Sequence, residues 1–402
     1  MKYNNVTKPN TTLPNIIGGF LNITQKCNLK CKYCFVVQQP KDMEYQVAKD
    51  AVDFYANNAK LTNETPSINF FGGEPLLKWD DIIVPIIRYI RDTYGRNYSI
   101  GITTNGTLLN EDKLIFLKQF NVSLLVSMDG DKKTQDLNRP FHNGKGSFDV
   151  LKDKIPLILK YYPQTTFRAT IDHDNVDEIL NNYNFAIEQG YTNVFMIPNV
   201  FADWSDQEIA TMKEQLKLVA DRYMETYRQG KPVHFNEFMA RKGQIMQLNN
   251  MNNLEYRTAG VGLPGFGRCG LGTTKFASIG LSGNIYSCQE MVENPDMGDE
   301  FKIGNIYTGV DDNKRWEVAS RFDPRNIRRS DNKTCRNCIL NKVCNGGCSI
   351  NNYFATGDLE IVPYVLCEYY DTATKEYLRI MKTMAEEQNE LFAKDFSGRL
   401  NV

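Results

Sequence analysis

Cys27, Cys31 and Cys34 are the residues of this chain whose type and spacing carry the most chemistry. A [4Fe–4S] cube has four irons and usually takes four thiolates. Three thiolates separated by three and then two residues can wrap one face of such a cube and leave one iron with open positions, able to chelate a small molecule. A zinc knuckle with its fourth ligand elsewhere would use the same triplet. The chain has only His142, His173 and His234, and none stands near the triplet at metal-finger spacing. Seven further cysteines lie between Cys269 and Cys367, and none lies between Cys34 and Cys269. Pairs such as Cys335-x2-Cys338 suit zinc ribbons as well as clusters. Two metal-binding zones separated by a cysteine-free domain is the simplest organisation. The size of the chain and the lack of an export signal argue against disulfides.

Positioning the first triplet requires a scaffold, and the hydrophobic pattern supplies one. From about Leu13 to Glu237, short apolar runs alternate with longer amphipathic ones, as in repeated βα units around a parallel sheet. Strands are expected at Gly18–Thr24, Ser67–Phe71, Tyr98–Thr103, Val122–Ser127, Thr166–Ile171 and Asn193–Ile197, with helices at Tyr45–Asn57, Trp79–Tyr94 and Glu111–Gln119. Six such units make an α/β fold, a partial (β/α)6 TIM barrel. Barrels of this kind place their chemistry at the carboxyl ends of the strands. The triplet follows the first strand, Gly72–Pro75 the second and Thr104–Gly106 the third, while Ser127–Gly130 closes the fourth. All four are expected on one rim. A further helix is expected at Asp206–Arg228 and a linker at Asn249–Gly267. A hairpin of Lys275–Ile279 and Asn284–Ser287 and a final helix at Asp371–Ala393 follow. The expected domains are a barrel over residues 13–237, a linker over 238–268, a cysteine-rich domain over 269–370, and a C-terminal helix and tail over 371–402.

Bulk composition narrows the partners. Hydrophobic residues make up 42% and charged residues 24% of 402 residues, with a formal net charge of −1. No global basic field points to nucleic acid. The polar N-terminus lacks a signal-peptide core, and no apolar run is long enough to span a membrane. The expected location is the cytoplasm.

The triplet, with Tyr33 before its last cysteine, resembles the C-x3-C-x-Y-C motif of the radical S-adenosylmethionine (SAM) superfamily. That resemblance implies that SAM chelates the open iron through its amino and carboxylate groups. Its reductive cleavage would yield a 5′-deoxyadenosyl radical. On its own, Gly72-Gly73 would be a tight turn and Glu74 a surface charge. Within the family pattern, Phe70-Phe71-Gly72-Gly73-Glu74-Pro75 resembles the GGEP motif that receives the SAM ammonium. Ser127-Met128-Asp129-Gly130 with Arg139 resembles the ribose and carboxylate contacts, Ser127 to the ribose and Arg139 to the carboxylate. Asn105 and Ile197 fall where family members line the nucleoside.

The later cysteines, Cys269-x13-Gly283-x4-Cys288, then Cys335-x2-Cys338-x5-Cys344-x3-Cys348, then Cys367, resemble the SPASM extension of peptide-modifying radical SAM enzymes. The resemblance implies two auxiliary [4Fe–4S] clusters, one on Cys335, Cys338, Cys344 and Cys367, the other on Cys269, Cys288 and Cys348. Three clusters would need twelve thiolates and the chain has ten. One auxiliary cluster then takes a non-cysteine ligand or keeps an iron open to substrate. The basic run Arg325, Arg328, Arg329, Lys333 and Arg336 could balance anionic clusters, attract an acidic peptide, or be a solvated face.

The implied activity is that of a radical SAM oxidoreductase acting on a ribosomally made peptide that contains cysteine. The expected reaction is a thioether cross-link from cysteine sulfur to carbon, with flavodoxin or ferredoxin as electron donor. Carbon–carbon cross-linking and epimerisation belong to the same class. An anaerobic sulfatase maturase, making formylglycine, is the nearest alternative. Those enzymes resemble this chain in length, but they carry an eighth auxiliary cysteine and an aspartate just after the cysteine of the G-x4-C element. Here that position is Gln289, followed by Glu290. An iron–sulfur carrier or zinc scaffold without catalysis is a third reading. The triplet starts too early for an N-terminal winged-helix module, so leader recognition is expected from the barrel, the C-terminal region or a separate protein.

Overall fold

The computed structural model describes residues 13–249, 274–295, 298–321, 335, 337–338, 344, 347–357 and 361–397. The first half alternates as expected: β1 (Gly18–Thr24), α1 (Tyr45–Thr62), β2 (Ser67–Gly72), α2 (Val84–Tyr94), β3 (Ser99–Thr104), α3 (Glu111–Gln119) and β4 (Val122–Val126). Three short helices follow, α4 (Lys132–Asn138), α5 (Phe148–Lys152) and α6 (Ile155–Tyr161), and then β5 (Phe167–Ile171), α7 (Ile179–Gln189), β6 (Asn193–Pro198) and α8 (Asp206–Arg228). Next come β7 (His234–Phe235), α9 (Asn236–Asn249), β8 (Ser278–Ile279), β9 (Asn284–Tyr286), β10 (Lys302–Asn305), β11 (Gly309–Val310) and α10 (Asp312–Arg321). The described C-terminal helices are α11 (Ser349–Thr356), α12 (Tyr364–Glu386) and α13 (Glu390–Ser397).

Local chemistry explains these boundaries. Asn110 accepts the Lys113 N–H at the start of α3, where Glu111 and Asp112 also favour the positive end of the helix dipole. Ser205 and Glu208 form a reciprocal capping box on α8. Ile209, Met212, Leu216, Val219 and Tyr223 then recur at three- and four-residue steps and are all buried. The helix expected at Trp79–Tyr94 instead opens with a wide turn over Trp79–Ile83 before α2, because Pro85 in the first α2 turn has no N–H to give. The single helix expected at Asp371–Ala393 is two helices. It starts at Tyr364, directly after Pro363, and breaks where Gln388 takes a left-handed φ of 52°. Part of the expected linker is the helix α9, and residues 250–273 lie outside the described residues.

The chain divides into two compact units. One comprises residues 1–30, 34–125 and 260–326. Its sheet has the order β11-β10-β9-β8-β1-β2-β3-β4, with β1, β2 and β3 parallel. The β8–β9 hairpin lies along the free edge of β1, with Leu21 opposite Ile279. Gly19 makes this possible, since a Cβ there would stand 1.8 Å from the Ala277 carbonyl oxygen. The buried Tyr55 hydroxyl donates to that same oxygen at 2.6 Å. The other unit comprises residues 31–33, 126–259 and 327–402. It holds the parallel sheet β5-β6-β7, with α12 packed on α8 and α9. Ser127, just past β4, bridges to Arg168 of β5.

Candidate active site

In the first unit, the turn after β2 is built against the entry to the cysteine loop. The Gly73 N–H donates to the Thr24 carbonyl and the Glu74 N–H to the Lys26 carbonyl, each at 2.8 Å. A Cβ on Gly72 or Gly73 would lie 2.2 or 2.1 Å from those carbonyl oxygens, so only glycine fits this approach. Glu74 caps a short helical turn with Pro75 at its first position. Its carboxylate has no solvent exposure. It accepts from Thr104 Oγ1 at 2.6 Å, the Asn105 N–H at 2.7 Å and the Leu76 N–H at 2.9 Å. Burial raises its pKa, against the lowering effect of these three donors. Glu74 therefore organises the turn from within, and a cation would meet the turn's backbone carbonyls.

Asn105 links this turn to the first cysteine. Its Nδ2 lies 3.9 Å from Cys27 Sγ and donates to Asn28 Oδ1 at 2.8 Å, while its Oδ1 accepts the Thr107 N–H at 3.0 Å. The Leu29 N–H also faces Cys27 Sγ, at 3.4 Å. Donors aimed at a thiolate stabilise its charge and tune a cluster's potential. Asn28 and Thr107 were not legible as site residues, because small polar residues in loops carry no spacing signal.

Tyr33, Asp129 and Arg139 meet in the second unit. The Tyr33 hydroxyl donates to Asp129 Oδ2. Arg139 Nε stands 3.1 Å from Asp129 Oδ1, and the guanidinium lies 5.3 Å from the Tyr33 ring centre. Burial and the Asp129 charge push the Tyr33 hydroxyl well above its ordinary pKa, although Arg139 opposes them. Burial disfavours the Arg139 charge, but Asp129, Tyr33 and Cys31 outweigh it, so the cation is firmly held. Ile197 of β6 is paired with Thr170 of β5, whose N–H also reaches Asp129 Oδ1, at 3.0 Å.

Four of the later cysteines also come together in that unit. Burial, followed by the charges of Cys344, Cys335 and Cys338, pushes the Cys367 thiol up to about 12. Thiolates around one tetrahedral zinc lie about 3.8 Å apart. Among the described residues, only Asp172, His173 and Asp174 bring three ligand atoms within 4.8 Å of one another. The four thiols are near enough to feel each other's charge. No disulfide occupies any of the nine described cysteines. Cys288 follows β9, and Gln289 beside it lines a narrow polar pocket of the first unit with Thr24, Gln25, Phe35, Glu290 and Glu293. Gln25 is buried, donates to Glu293 at 3.1 Å, and leaves its carbonyl oxygen without a protein partner. Cys269 and the basic run lie outside the described residues.

The family model for the Radical SAM superfamily matches residues 21–214. A cysteine-type anaerobic sulfatase-maturating enzyme of Clostridium novyi is 23% identical over 91% of this chain and 97% of its own length. An uncharacterised protein of Methanocaldococcus jannaschii is 39% identical, over 35% of this chain and 48% of its own length. The solved structure of native anSMEcpe with bound AdoMet and Cp18Cys peptide aligns with a TM-score of 0.69, at 20% identity over 93% of this chain and 99% of that one. Streptococcus suis SuiB bound to precursor peptide SuiA aligns at 0.55, with 17% identity over 88% and 76%. The chain thus has the fold of these radical SAM enzymes, with a C-terminal cysteine-rich region. Among the described residues no helix is long and apolar enough to cross a membrane.

Proposed function

We propose that this enzyme modifies a cysteine-containing peptide by joining cysteine sulfur to a carbon of another residue. Cys27, Cys31 and Cys34 would hold the radical-generating cluster. Arg139 would meet the SAM carboxylate, Ser127 the ribose, and Asn105 and Ile197 the nucleoside. Cys335, Cys338, Cys344 and Cys367 would hold one auxiliary cluster, and Cys269, Cys288 and Cys348 the other. When bound, SAM and its cluster would supply a hydrogen-abstracting carbon radical, and an auxiliary cluster held by the later cysteines would supply an acceptor for the one electron released on carbon–sulfur bond formation. The substrate loses one carbon-bound hydrogen atom and one thiol proton.

One observation carries this reading. The residue after Cys288 in the pocket is an uncharged amide, Gln289, and seven thiols remain for two auxiliary clusters. That arithmetic favours an iron open to the substrate thiolate over a carboxylate base at that position. Gln25, with its unmatched carbonyl oxygen in the same pocket, suits a peptide N–H. Formylglycine formation is the second reading. It is favoured by similarity along nearly the whole chain to a sulfatase-maturating enzyme and by Glu290 in the pocket wall.

Product mass spectrometry separates the two. The reconstituted enzyme, SAM and a strong reductant are incubated with cysteine-containing peptides, including any encoded beside its gene. Thioether formation predicts loss of two hydrogens, full retention of sulfur and no alkylatable thiol. An aldehyde with loss of the sulfur would instead establish formylglycine chemistry.

A further inference from the structure

We propose that Asp129 is a positioning residue that presets Arg139 and the Cys31–Tyr33 stretch of the cluster loop, rather than a contact to the cofactor. The sequence pattern places Asp129 among the SAM-binding residues, but the geometry leaves it nothing to offer a ligand. Its side chain is 1% exposed as a residue. Oδ1 accepts the Thr170 N–H at 3.0 Å and faces Arg139 Nε at 3.1 Å. Oδ2 accepts from the Tyr33 hydroxyl and from Asn138 Nδ2, the latter at 3.1 Å. A carboxylate oxygen has two in-plane acceptor sites; three of the four hold hydrogen-bond donors, and the Arg139 cation stands against the fourth. A ribose hydroxyl or an ammonium would have to displace one of these groups.

The donors show what the carboxylate organises. Tyr33 lies between two cluster cysteines. Asn138 and Arg139 end α4, and Thr170 lies on β5. Asn138 also accepts the Lys32 N–H on its main-chain carbonyl at 3.0 Å. Its side-chain Oδ1 accepts from Asn175 Nδ2 at 2.9 Å. Asn175 in turn accepts the Asp172 N–H at 3.2 Å, and Asp172 accepts Asn199 Nδ2 at 2.8 Å. Asn138, Asn175, Asp172 and Asn199 are all buried. A continuous relay thus runs from the middle of the cysteine loop to the ends of β5 and β6, and Asp129 joins it to Arg139. Arg139 Nε meets Asp129 at ion-pair distance without a linear hydrogen bond, so charge, more than directionality, fixes that guanidinium.

This inference rests on the reading that Arg139 meets the SAM carboxylate. The test uses cluster-loaded enzyme, with iron and sulfide contents matched between variants. Equilibrium dialysis measures the affinities of wild type, D129N, R139Q and D129N/R139Q for SAM and for 5′-methylthioadenosine, which has no carboxylate. The expected result is that D129N and R139Q each weaken SAM about tenfold while 5′-methylthioadenosine changes by less than about twofold. The double variant should bind SAM no worse than R139Q. Equal weakening of both ligands in D129N would mean direct nucleoside contact and overturn the proposal, as would undiminished SAM binding. If R139Q leaves the ratio of the two ligands unchanged, the carboxylate reading fails and the proposal with it. A ratio altered by R139Q but not by D129N refutes the proposal alone. Should D129N fail to load its cluster, R139Q against the double variant decides, since a further loss there would assign Asp129 a contact of its own.

Discussion

The Glu74 carboxylate meets three donors inside its own turn and no solvent. Glutamine at this position keeps one acceptor oxygen and sets an NH2 group against an existing donor. E74Q is therefore expected to lose about 1–3 kcal/mol of stability, read as a lower urea midpoint at unchanged slope. An unshifted midpoint would show that the turn does not depend on the carboxylate. The identity of Glu74 was legible in the sequence from its glycine neighbours, but its orientation was not. A motif specifies which residue stands at a strand end, whereas Thr104 and Asn105, some thirty positions away, decide where its oxygens point. The same holds for Asp129, whose partners Tyr33 and Thr170 come from distant parts of the chain.

At the level of elements, β1 to β6 and α8 fell where alternating apolar runs and capping signals placed them. Long periodic segments bury a continuous face, and that face is written in the sequence. The β8 strand was harder. The hairpin expected at Lys275–Ile279 and Asn284–Ser287 forms as β8 and β9, but its partnership with β1 was not legible, because it depends on the missing side chain of Gly19. G19A places a Cβ 1.8 Å from the Ala277 oxygen and is expected to cost about 3 kcal/mol through overpacking. Chemical unfolding monitored by circular dichroism measures this, and a wild-type midpoint would mean that β8 can shift aside freely. Helix ends in the last fifty residues were misplaced for a similar reason. A single left-handed residue, Gln388, ends α12 without any glycine or proline to announce it.

For the molecule as a whole, the sheet of the first unit is completed by strands that lie far along the chain. Asn22 Nδ2 faces the Ile279 carbonyl across 257 positions. A fragment ending at residue 273 contains the whole stretch matched by the superfamily model, yet it would bare the outer edge of β1. Exposed edges of this kind template association. Such a fragment is expected to sediment as aggregate where the full chain stays in the supernatant, and a monomeric fragment with native circular dichroism would contradict this. The same pairing sets a schedule for biosynthesis. At about 5–20 residues per second, β1 leaves the ribosome roughly 10–50 s before β8 exists to cover it. Through that interval the nascent chain carries three reactive thiols beside an unfinished sheet. Iron and sulfide delivered in that interval would meet a chain whose β1 edge is still uncovered.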